Sequence, residues 1–363
     1  MPGLPTTYAT TTLRDGVVSL GTRRFPHGEL GPDTVVIKPD HLGICRADAK
    51  EIHGSRDVMA DRGPLFGHEL VGTVAFAGGR TGFRPGELVT LNPNITPTRT
   101  TGFAEYVLVR GTGKQLDQAV VRVPEPHIRD TPWMPEPFAC IVHALDKLLD
   151  LTGLPALHGK RVGIIGAGCA GLMFAMYARH LGAPVAVFNR GEPRRAFARQ
   201  QGILADHEIH PLTDAEAAAH RGGYDIVIVA PTIATTELLE TAAGLAADGA
   251  VLFVYGGTRA GDTFPTGAAD VDTIRRRERI ESVTHQGKRL ELSGAYGCFR
   301  EDYEKGFRLH AEHPQDFPLE KLTSRRITPE EFPHRVMDIA AGRADFPGKV
   351  LIDVTARHSR AHS

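Results

Sequence analysis

The stretch that decides the fold is Val162-Gly163-Ile164-Ile165-Gly166-Ala167-Gly168-Cys169-Ala170-Gly171, a short apolar run followed by a glycine-rich turn. The apolar run is typical of a buried strand, and the small residues after Gly171 favour a helix. A G-x-G-x-x-G string is weak by itself. Between a strand and a helix it predicts a loop that binds the pyrophosphate of a dinucleotide, rather than a glycine-rich turn without a ligand.

Each glycine of this loop has a predicted role. Gly166 permits the tight turn, Gly168 lets the backbone approach the pyrophosphate, and Gly171 allows close packing between helix and strand. The helix N-terminus then offers unpaired N–H groups to the phosphates. The predicted cofactor-binding residues of the loop are Gly166, Ala167, Gly168, Cys169, Ala170 and Gly171.

Strand and helix patterns alternate around this loop, from residue 141 to residue 294. Uninterrupted apolar strands separated by helices are typical of a parallel sheet that is covered on both faces. The predicted strands are 162–165, 185–188, 225–229 and 250–254, and the predicted helices are 170–181, 192–201 and 235–247.

The flanking regions have a different pattern. Before residue 140, short β-like runs separated by Gly and Pro suit a compact antiparallel, barrel-like unit. After residue 295 the pattern is mixed. The runs before residue 140 are 34–38, 70–76, 87–91 and 104–109, and the C-terminal part is predicted to contain helices near 301–310 and 329–341 and a strand at 349–353.

Composition limits the classes of protein that remain. At roughly 150 residues per domain, 363 residues suggest two domains. The 42 Lys and Arg against 43 Asp and Glu give a net charge of −1, which argues against a nucleic-acid partner. Four cysteines without close pairs in the sequence do not form a disulfide framework. No signal peptide and no apolar run of about 20 residues is present, so we expect a cytoplasmic protein without a membrane partner.

The choice of dinucleotide is predicted at the end of the second strand. An NAD site usually has Asp or Glu there, to bind the ribose hydroxyls. This chain has Asn189 and Arg190, with Arg194 just beyond. A neutral side chain beside permanently charged guanidinium groups favours the 2′-phosphate of NADP(H). The alternative for the cluster 194–199 is that its arginines only solvate a helix face.

Metal-ligand residue types occur at three places in the chain. Cys45 lies in Gly43–Asp48, His68 and Glu69 follow 23 and 24 residues later, and Glu136 lies between two prolines. Thiolate, imidazole and carboxylate are the ligands of catalytic zinc sites. Each of these residues alone is more often an ordinary core or surface residue.

In this order, the motifs G-I-C-x-x-D, G-H-E, P-E-P-x-A-C and G-x-G-x-x-G resemble the zinc-dependent medium-chain dehydrogenase/reductase family. The sorbitol, threonine and glucose dehydrogenase branch fits best. Further matches lie at 101–107, 292–297 and 341–350, so the resemblance covers essentially the whole chain.

The resemblance implies an α/β fold: a Rossmann doubly wound parallel sheet plus a discontinuous GroES-like β-barrel catalytic domain. Residues 1–140 and 295–363 would form the catalytic domain, and 141–294 the dinucleotide-binding domain, with the active site in the cleft between them. It also implies a homodimer or homotetramer, assembled near residues 281–292.

The resemblance also assigns roles to the candidate ligands. Cys45, His68 and Glu136 match the zinc ligands of the family, and Glu69 matches an adjacent acid that either supports the site or exchanges as a ligand. Which of Glu69 and Glu136 is the third ligand stays open. Zinc would act as a Lewis acid on the substrate oxygen while the nicotinamide exchanges a hydride.

Two departures from the family pattern change these expectations. The stretch 92–100, where the family often has a cysteine-rich lobe, contains no Cys, so we expect no structural zinc. Ala47 replaces the Ser or Thr that begins a proton relay in the family. His53 is our candidate for the relay because its usual pKa suits proton transfer near neutrality, and Lys50, Glu69 or a chain of waters are the alternatives.

The sequence thus predicts a zinc-dependent oxidoreductase that transfers a hydride between NADP(H) and a secondary alcohol or ketone of a polyol, sugar or cyclitol, such as an intermediate of a specialised biosynthetic pathway. One alternative is a zinc-free NADPH-dependent enone or quinone reductase of the same fold. Another is a regulatory protein that binds NADPH without catalysis.

Overall fold

The computed structural model describes residues 3–54, 66–95, 97–267 and 269–354. The chain divides into two compact units, one of Met1–Pro137, Phe299–Phe307 and Thr323–Ser363, the other of Phe138–Cys298 and Arg308–Leu322. The boundaries expected at 140 and 295 differ from these by a few residues. The segment Arg308–Leu322, expected in the first unit, belongs to the second, where Phe317 packs against Phe138 and Tyr177.

The N-terminal part of the first unit consists mainly of short strands. Its elements are β1 (Thr7–Arg14), β2 (Val17–Arg24), β3 (Thr34–Ile44), α1 (Arg46–Ile52), β4 (Glu69–Ala77), β5 (Leu88–Leu91), β6 (Thr98–Arg99), β7 (Val107–Arg110), α2 (Gly113–Ala119) and β8 (Val120–Arg122). β1 and β2 form an antiparallel hairpin. β3, β4, β5 and β8 are neighbours in an antiparallel sheet, and β7 also pairs with β3.

The second unit is built on alternating strands and helices. The elements from residue 135 to residue 294 are α3 (Pro135–Thr152), β9 (Val162–Ile165), α4 (Cys169–His180), β10 (Val185–Asn189), α5 (Glu192–Gln200), β11 (Ile209–Pro211), α6 (Asp214–Ala219), β12 (Tyr224–Val229), α7 (Thr236–Leu245), β13 (Ala246–Val254), α8 (Val271–Arg276), β14 (Ile280–His285) and β15 (Lys288–Gly294).

The sheet of the second unit has the strand order β11-β10-β9-β12-β13-β15-β14. Its strands are parallel except for the edge strand β14, which is antiparallel to β15. Numbered along the chain, β9 is the first strand and the order reverses beside it, between β9 and β12. Ligands of doubly wound sheets bind at the carboxyl ends of the strands at such a reversal. This arrangement confirms the predicted Rossmann fold.

The C-terminal elements are α9 (Arg300–Glu312), β16 (Thr323–Ile327), α10 (Phe332–Ala340) and β17 (Lys349–Asp353). β17 pairs antiparallel with β3, with Val350 opposite Ile44, and β16 pairs with β17. The two ends of the chain therefore form one sheet in the first unit. Within the described residues, no helix combines the length and apolar character needed to cross a bilayer.

Candidate metal centre and dinucleotide site

Cys45 lies where strand β3 ends and helix α1 begins. Its side chain caps the helix, because Sγ accepts a hydrogen bond from the Ala47 N–H at 3.5 Å. Its own N–H donates to Asp48 Oδ2 at 2.8 Å. The sulfur is thereby held toward a backbone donor at the start of the helix.

His68 follows a glycine that the local geometry requires. Gly67 has φ +72°, a conformation that other residues adopt at a cost. A Cβ on Gly67 would lie 2.6 Å from the backbone nitrogen of Phe103. Thr101 Oγ1 donates to the Phe66 carbonyl at 3.0 Å, and Arg99 Nη1 donates to the Gly67 carbonyl at 2.9 Å. The segment around Thr101 therefore fixes the turn that presents His68.

Cys45, His68 and Glu69 come together in the structure. Their ligand atoms all lie within 4.8 Å of one another. His68 is buried, and its Nδ1 lies 3.5 Å from Asp48 Oδ1. Asp48 is itself fully buried and accepts a hydrogen bond from the Gly67 N–H. Asp48 thus braces both Cys45 and His68, a role that the sequence motif alone does not reveal.

The charges of this cluster act on His68. Burial by itself lowers the pKa of His68, but the neighbouring Cys45 and Asp48 side chains outweigh it and raise the pKa well above its usual range. His68 Nδ1 makes no hydrogen bond in the described structure although it is buried. A buried site with a thiol, an imidazole and carboxylates that favours a positive charge fits a zinc ion.

Glu69 has a second partner in the cluster. Lys349 Nζ donates to its two carboxylate oxygens at 2.6 and 2.7 Å, and both side chains are buried. Gly43 lies opposite Glu69 in the β3–β4 pairing, and a Cβ there would overlap the Glu69 carboxylate. The structure therefore holds Glu69 as the partner of an ammonium group at the edge of the metal cluster.

The predicted dinucleotide loop lies at the carboxyl end of β9, where the strand order reverses. Gly166 has φ +107°, and a Cβ on Gly171 would overlap the Gly166 carbonyl oxygen. A Cβ on Gly168 would meet only Arg194 Nη1, at 3.5 Å. The backbone at Gly168 is therefore open, and the Arg194 guanidinium lies beside it. Ala167, Cys169 and Ala170 occupy the remaining loop and first-turn positions.

Asn189, at the end of β10, connects this loop to the next turn. Its Oδ1 accepts from the Ala167 N–H at 3.1 Å, and its Nδ2 donates to the Gly191 carbonyl at 2.9 Å. Arg190 is exposed and pairs with exposed Glu237 at 3.2 Å. Arg195, by contrast, donates to the carbonyls of Asn189 and Arg190. Among these arginines, Arg195 supports the backbone, Arg194 lies beside Gly168 of the loop, and Arg190 directly follows Asn189 and pairs with Glu237.

Known proteins share both the sequence pattern and the fold. A model of the alcohol dehydrogenase GroES-like domain matches residues 31–126. An L-threonine 3-dehydrogenase of Anaeromyxobacter sp. (strain K) is 26% identical over 90% of this chain and 93% of its own length. An uncharacterized zinc-type alcohol dehydrogenase-like protein of Escherichia coli (strain K12) is 30% identical, but over only 47% of this chain and 54% of its own length.

The fold is shared with solved dehydrogenase structures. A protein described as a zinc-binding dehydrogenase of Sinorhizobium meliloti 1021, bound to NADP, has a TM-score of 0.68 at 23% identity, covering 97% of this chain and 100% of that chain. The chain thus contains an alcohol dehydrogenase GroES-like domain, is similar over most of its length to L-threonine 3-dehydrogenase, and shares its fold with zinc-type dehydrogenases. It is accordingly an oxidoreductase of the alcohol dehydrogenase type.

Two further residues predicted from the sequence, Glu136 and His53, are not in the group formed by Cys45, His68 and Glu69 within the described residues. Glu136 is buried in the first turn of α3, but within the described residues it is not in the group of ligand atoms formed by Cys45, His68 and Glu69. The structure thus brings together three of the four predicted ligands. His53 is exposed at the end of α1, where its Nε2 hydrogen-bonds the Ala340 carbonyl at 2.7 Å. It connects α1 to the end of α10 and does not join the metal cluster.

Two of the remaining cysteines, Cys140 and Cys298, are far apart in the sequence but adjacent in the structure. Cys140 and Cys298, which form no close pair in the sequence, have their sulfurs 3.6 Å apart. Cys140 lies on helix α3 and Cys298 lies between β15 and α9, and 158 residues of sequence separate them. In the described part of the chain, neither belongs to a group of metal-ligating side chains.

Proposed function

We propose that this medium-chain dehydrogenase is zinc-dependent and transfers a hydride between NADP(H) and a secondary alcohol or ketone of a polyol, sugar or cyclitol. The observation that carries the proposal is the convergence of partly buried Cys45 with buried His68 and Glu69, whose ligand atoms all lie within 4.8 Å of one another. A zinc-free reductase would leave the buried His68 Nδ1 without a hydrogen bond, which is costly.

Cys45 and His68 would hold the metal directly. Asp48 would orient both of them, because it accepts from the Cys45 N–H and the Gly67 N–H and its Oδ1 lies 3.5 Å from His68 Nδ1. Bound zinc would supply Lewis acidity toward a substrate oxygen, and bound nicotinamide would supply or accept the hydride. Glu69 would be the exchanging carboxylate, because Lys349 neutralises it whenever it is not a ligand. Glu136 remains our candidate for a further ligand.

The preference for NADP(H) is supported by the side chains around the loop. Asn189 is neutral and already donates to the Gly191 carbonyl, so no carboxylate opposes a 2′-phosphate at this point. Arg190 and Arg194 supply planar cations for it. The Sinorhizobium meliloti structure of the same fold is bound to NADP.

Proton release needs a route that does not begin at residue 47, since Ala47 has no side-chain donor or acceptor. The carbonyl of Ala340 already occupies His53 Nε2. In our proposal His53 takes part in proton exchange only if that hydrogen bond opens. Glu69 is the other candidate, because it lies in the cluster itself.

The test is a screen of NADP⁺ and NAD⁺ reduction across polyols, sugars and aminocyclitols, with the zinc content measured on the same samples. We expect zinc in the protein and turnover with a secondary alcohol, faster with NADP⁺. Turnover of an enone or quinone by protein without zinc would support the reductase instead. Tight NADPH binding without any turnover would support a regulatory protein.

A further inference from the structure

A second group of imidazole and carboxylate side chains lies in the second unit, in a different unit from Cys45. It consists of His210 on β11, Glu216 on α6 and His220 at the C-cap of α6. Their ligand atoms lie within 4.8 Å of one another, and each residue is partly buried. We refer to these three residues as the edge triad, because β11 is the edge strand of the sheet.

One carboxylate oxygen is shared by the two imidazoles. Glu216 Oε1 lies 3.0 Å from His210 Nδ1 and 3.3 Å from His220 Nε2. For tetrahedral zinc with ligand bonds of about 2.0–2.1 Å, neighbouring ligand atoms are ~3.3 Å apart. The metal could therefore replace the bridging protons with little movement of these atoms. Two histidines and one carboxylate leave a fourth position for water.

The helix places two of the ligands on one face. Glu216 and His220 are separated by four residues, the spacing that brings side chains together on α6. Thr213 caps the helix by accepting from the Glu216 N–H at 3.3 Å. His210 joins from the strand, six residues before Glu216. The site thus combines a helix and a strand that are each fixed by their own backbone bonds.

The surroundings orient the imidazole rings. Tyr224 Oη lies 2.7 Å from His220 Nδ1, so the nitrogen that faces away from Glu216 already has a partner. Such a partner fixes the tautomer of a metal-ligating histidine. Phe188 stacks on His210 with ring centroids 5.2 Å apart and contacts His220 edge-on at 5.1 Å. An aromatic wall behind two oriented imidazoles is a built environment rather than a chance surface contact.

We infer that the edge triad is a zinc site, distinct from the Cys45 cluster. Imidazole and carboxylate ligands suit zinc among the common divalent ions, whereas magnesium and calcium prefer oxygen ligands alone. The ion would join α6 to β11. β11 pairs with β10, with Pro211 opposite Asn189, and the Leu212 N–H donates to the Asn189 carbonyl. Zinc here would therefore stiffen the edge of the sheet next to the residues that we assign to the 2′-phosphate.

The experiment measures zinc bound at equilibrium after dialysis against micromolar zinc, by elemental analysis, with the melting temperature recorded in parallel. The background is Cys45→Ala, which removes the first cluster. We expect about two zinc per chain in the wild type and about one in Cys45→Ala. Adding His210→Ala and His220→Gln to Cys45→Ala should abolish binding and the rise of melting temperature with zinc. On the Cys45→Ala background, His220→Gln without the second substitution keeps a hydrogen-bond donor for Glu216. Loss of zinc from this variant would therefore show that His220 is needed as a ligand and not only as a hydrogen-bond partner.

The matched control is His180→Ala on the same background. His180 belongs to another imidazole–carboxylate group, with His313 and Asp316, that is more exposed. We expect this variant to keep its zinc. Zinc retained by the His210→Ala and His220→Gln protein, or lost from His180→Ala instead, would overturn the assignment.

Cobalt(II) in place of zinc distinguishes the two proposals. At the edge triad it should give d–d bands without the thiolate charge-transfer band that Cys45 would produce. A Cys45→Ala protein that shows no d–d bands refutes the edge triad, and a thiolate band in the wild type then leaves the proposed function standing. A wild type without the thiolate band, whose d–d bands are lost in His210→Ala, refutes metal binding at Cys45 and leaves the edge triad standing.

Discussion

The candidate metal centre (Cys45, His68 and Glu69) and the dinucleotide loop differ in how deeply their charged side chains are buried. Around Cys45, the charged groups are buried: Glu69 is 1% exposed and Lys349 9% exposed. Around the loop, the cationic side chain of Arg190 is 62% exposed, and its partner Glu237 is 77% exposed. Buried charges must be paired and held in place, whereas exposed ones contribute little to stability. The charges around Cys45 are therefore part of the folded core, whereas the proposed preference for NADP(H) depends on a few surface groups.

The largest effect should come from Cys45→Ala. Removing the thiolate removes a ligand that the proposed chemistry requires, so we expect kcat/KM to fall by about 10³-fold or more. NADPH binding should stay nearly unchanged, because the loop belongs to the other unit. Steady-state kinetics measure the fall in kcat/KM, and fluorescence titration with NADPH measures the cofactor affinity. Cys140→Ala is the matched control, and activity in Cys45→Ala equal to that of this control would contradict the proposal.

Lys349→Met tests whether the buried charges of Glu69 and Lys349 are stable only as an ion pair. It leaves Glu69 as a buried carboxylate without its ammonium partner, which costs about 3–5 kcal/mol. Urea unfolding of the zinc-free protein measures the loss. Glu69→Gln together with Lys349→Met should recover much of it. If Lys349→Met and the double variant lose the same free energy of unfolding, the Glu69–Lys349 pair does not account for the effect.

Asp48→Asn should weaken the site without removing a ligand. Asp48 accepts hydrogen bonds from the N–H groups of Cys45 and Gly67 and faces His68. An amide replaces one of the two acceptor oxygens by a donor, so we expect zinc affinity to fall about 10–100-fold. Competition with a chromophoric chelator measures it. Asp33→Asn, at a surface carboxylate paired with Arg80, should leave the affinity as it is.

For the loop, Asn189→Asp with Arg190→Ala should shift the ratio of kcat/KM for NADP⁺ over NAD⁺ by about tenfold or more toward NAD⁺, the size of one or two lost charge-assisted hydrogen bonds. Arg199→Ala is the control, because Arg199 pairs with Glu192 on α5 and with Asp206 in the segment that follows α5. A ratio that is unchanged in the double variant, or changed equally in Arg199→Ala, would refute the assigned preference.

We expect the smallest change in stability from the partly buried pair of His143 and Glu278 in the second unit. Burial raises the pKa of Glu278, but the hydrogen bond from His143 and the neighbouring Tyr296 N–H and Lys147 outweigh it and lower the pKa below its usual value. A carboxyl group with a lowered pKa stabilises the fold above its unfolded pKa and ceases to do so as the pH falls through the folded pKa. Glu278→Gln should therefore lower stability at neutral pH.

That difference between Glu278→Gln and the wild type should disappear in the acid range, at and below the folded pKa. Urea unfolding midpoints measured from neutral to acid pH check this. A difference that stays constant over the whole range would mean that ionisation of Glu278 is not its source.

Local pattern is enough to predict much of the fold. The predicted strands at 162–165 and 349–353 have the bounds of β9 and β17, because each is a short apolar run between turn residues. The pattern predicts β3 only to residue 38, since Pro39 is typical of the end of a strand. The structure continues it to Ile44 through register shifts on either side of that proline. The β1–β2 hairpin and helix α3 are not predicted, the latter because two prolines begin it.

The site is predictable only where its residues lie in short motifs. Cys45 and Asp48 share one turn, and His68 and Glu69 are adjacent, so the motifs contain them even though they do not reveal the bracing role of Asp48. Lys349 is 280 residues from Glu69, and only the pairing of β17 with β3 brings it to the cluster. The match at residues 341–350 is the available signal. His53 is predicted from the usual pKa of histidine alone, and that argument cannot predict its hydrogen bond to the Ala340 carbonyl.

The most direct test of the central claim is NADP⁺ reduction by the chelator-treated protein, with the best alcohol of the screen, before and after zinc is added back. NADPH affinity is measured on the same samples. We expect turnover to fall to background without zinc and to return with it, while NADPH affinity stays constant. Full turnover in the presence of the chelator, at zinc contents well below one per chain, would contradict the proposed function.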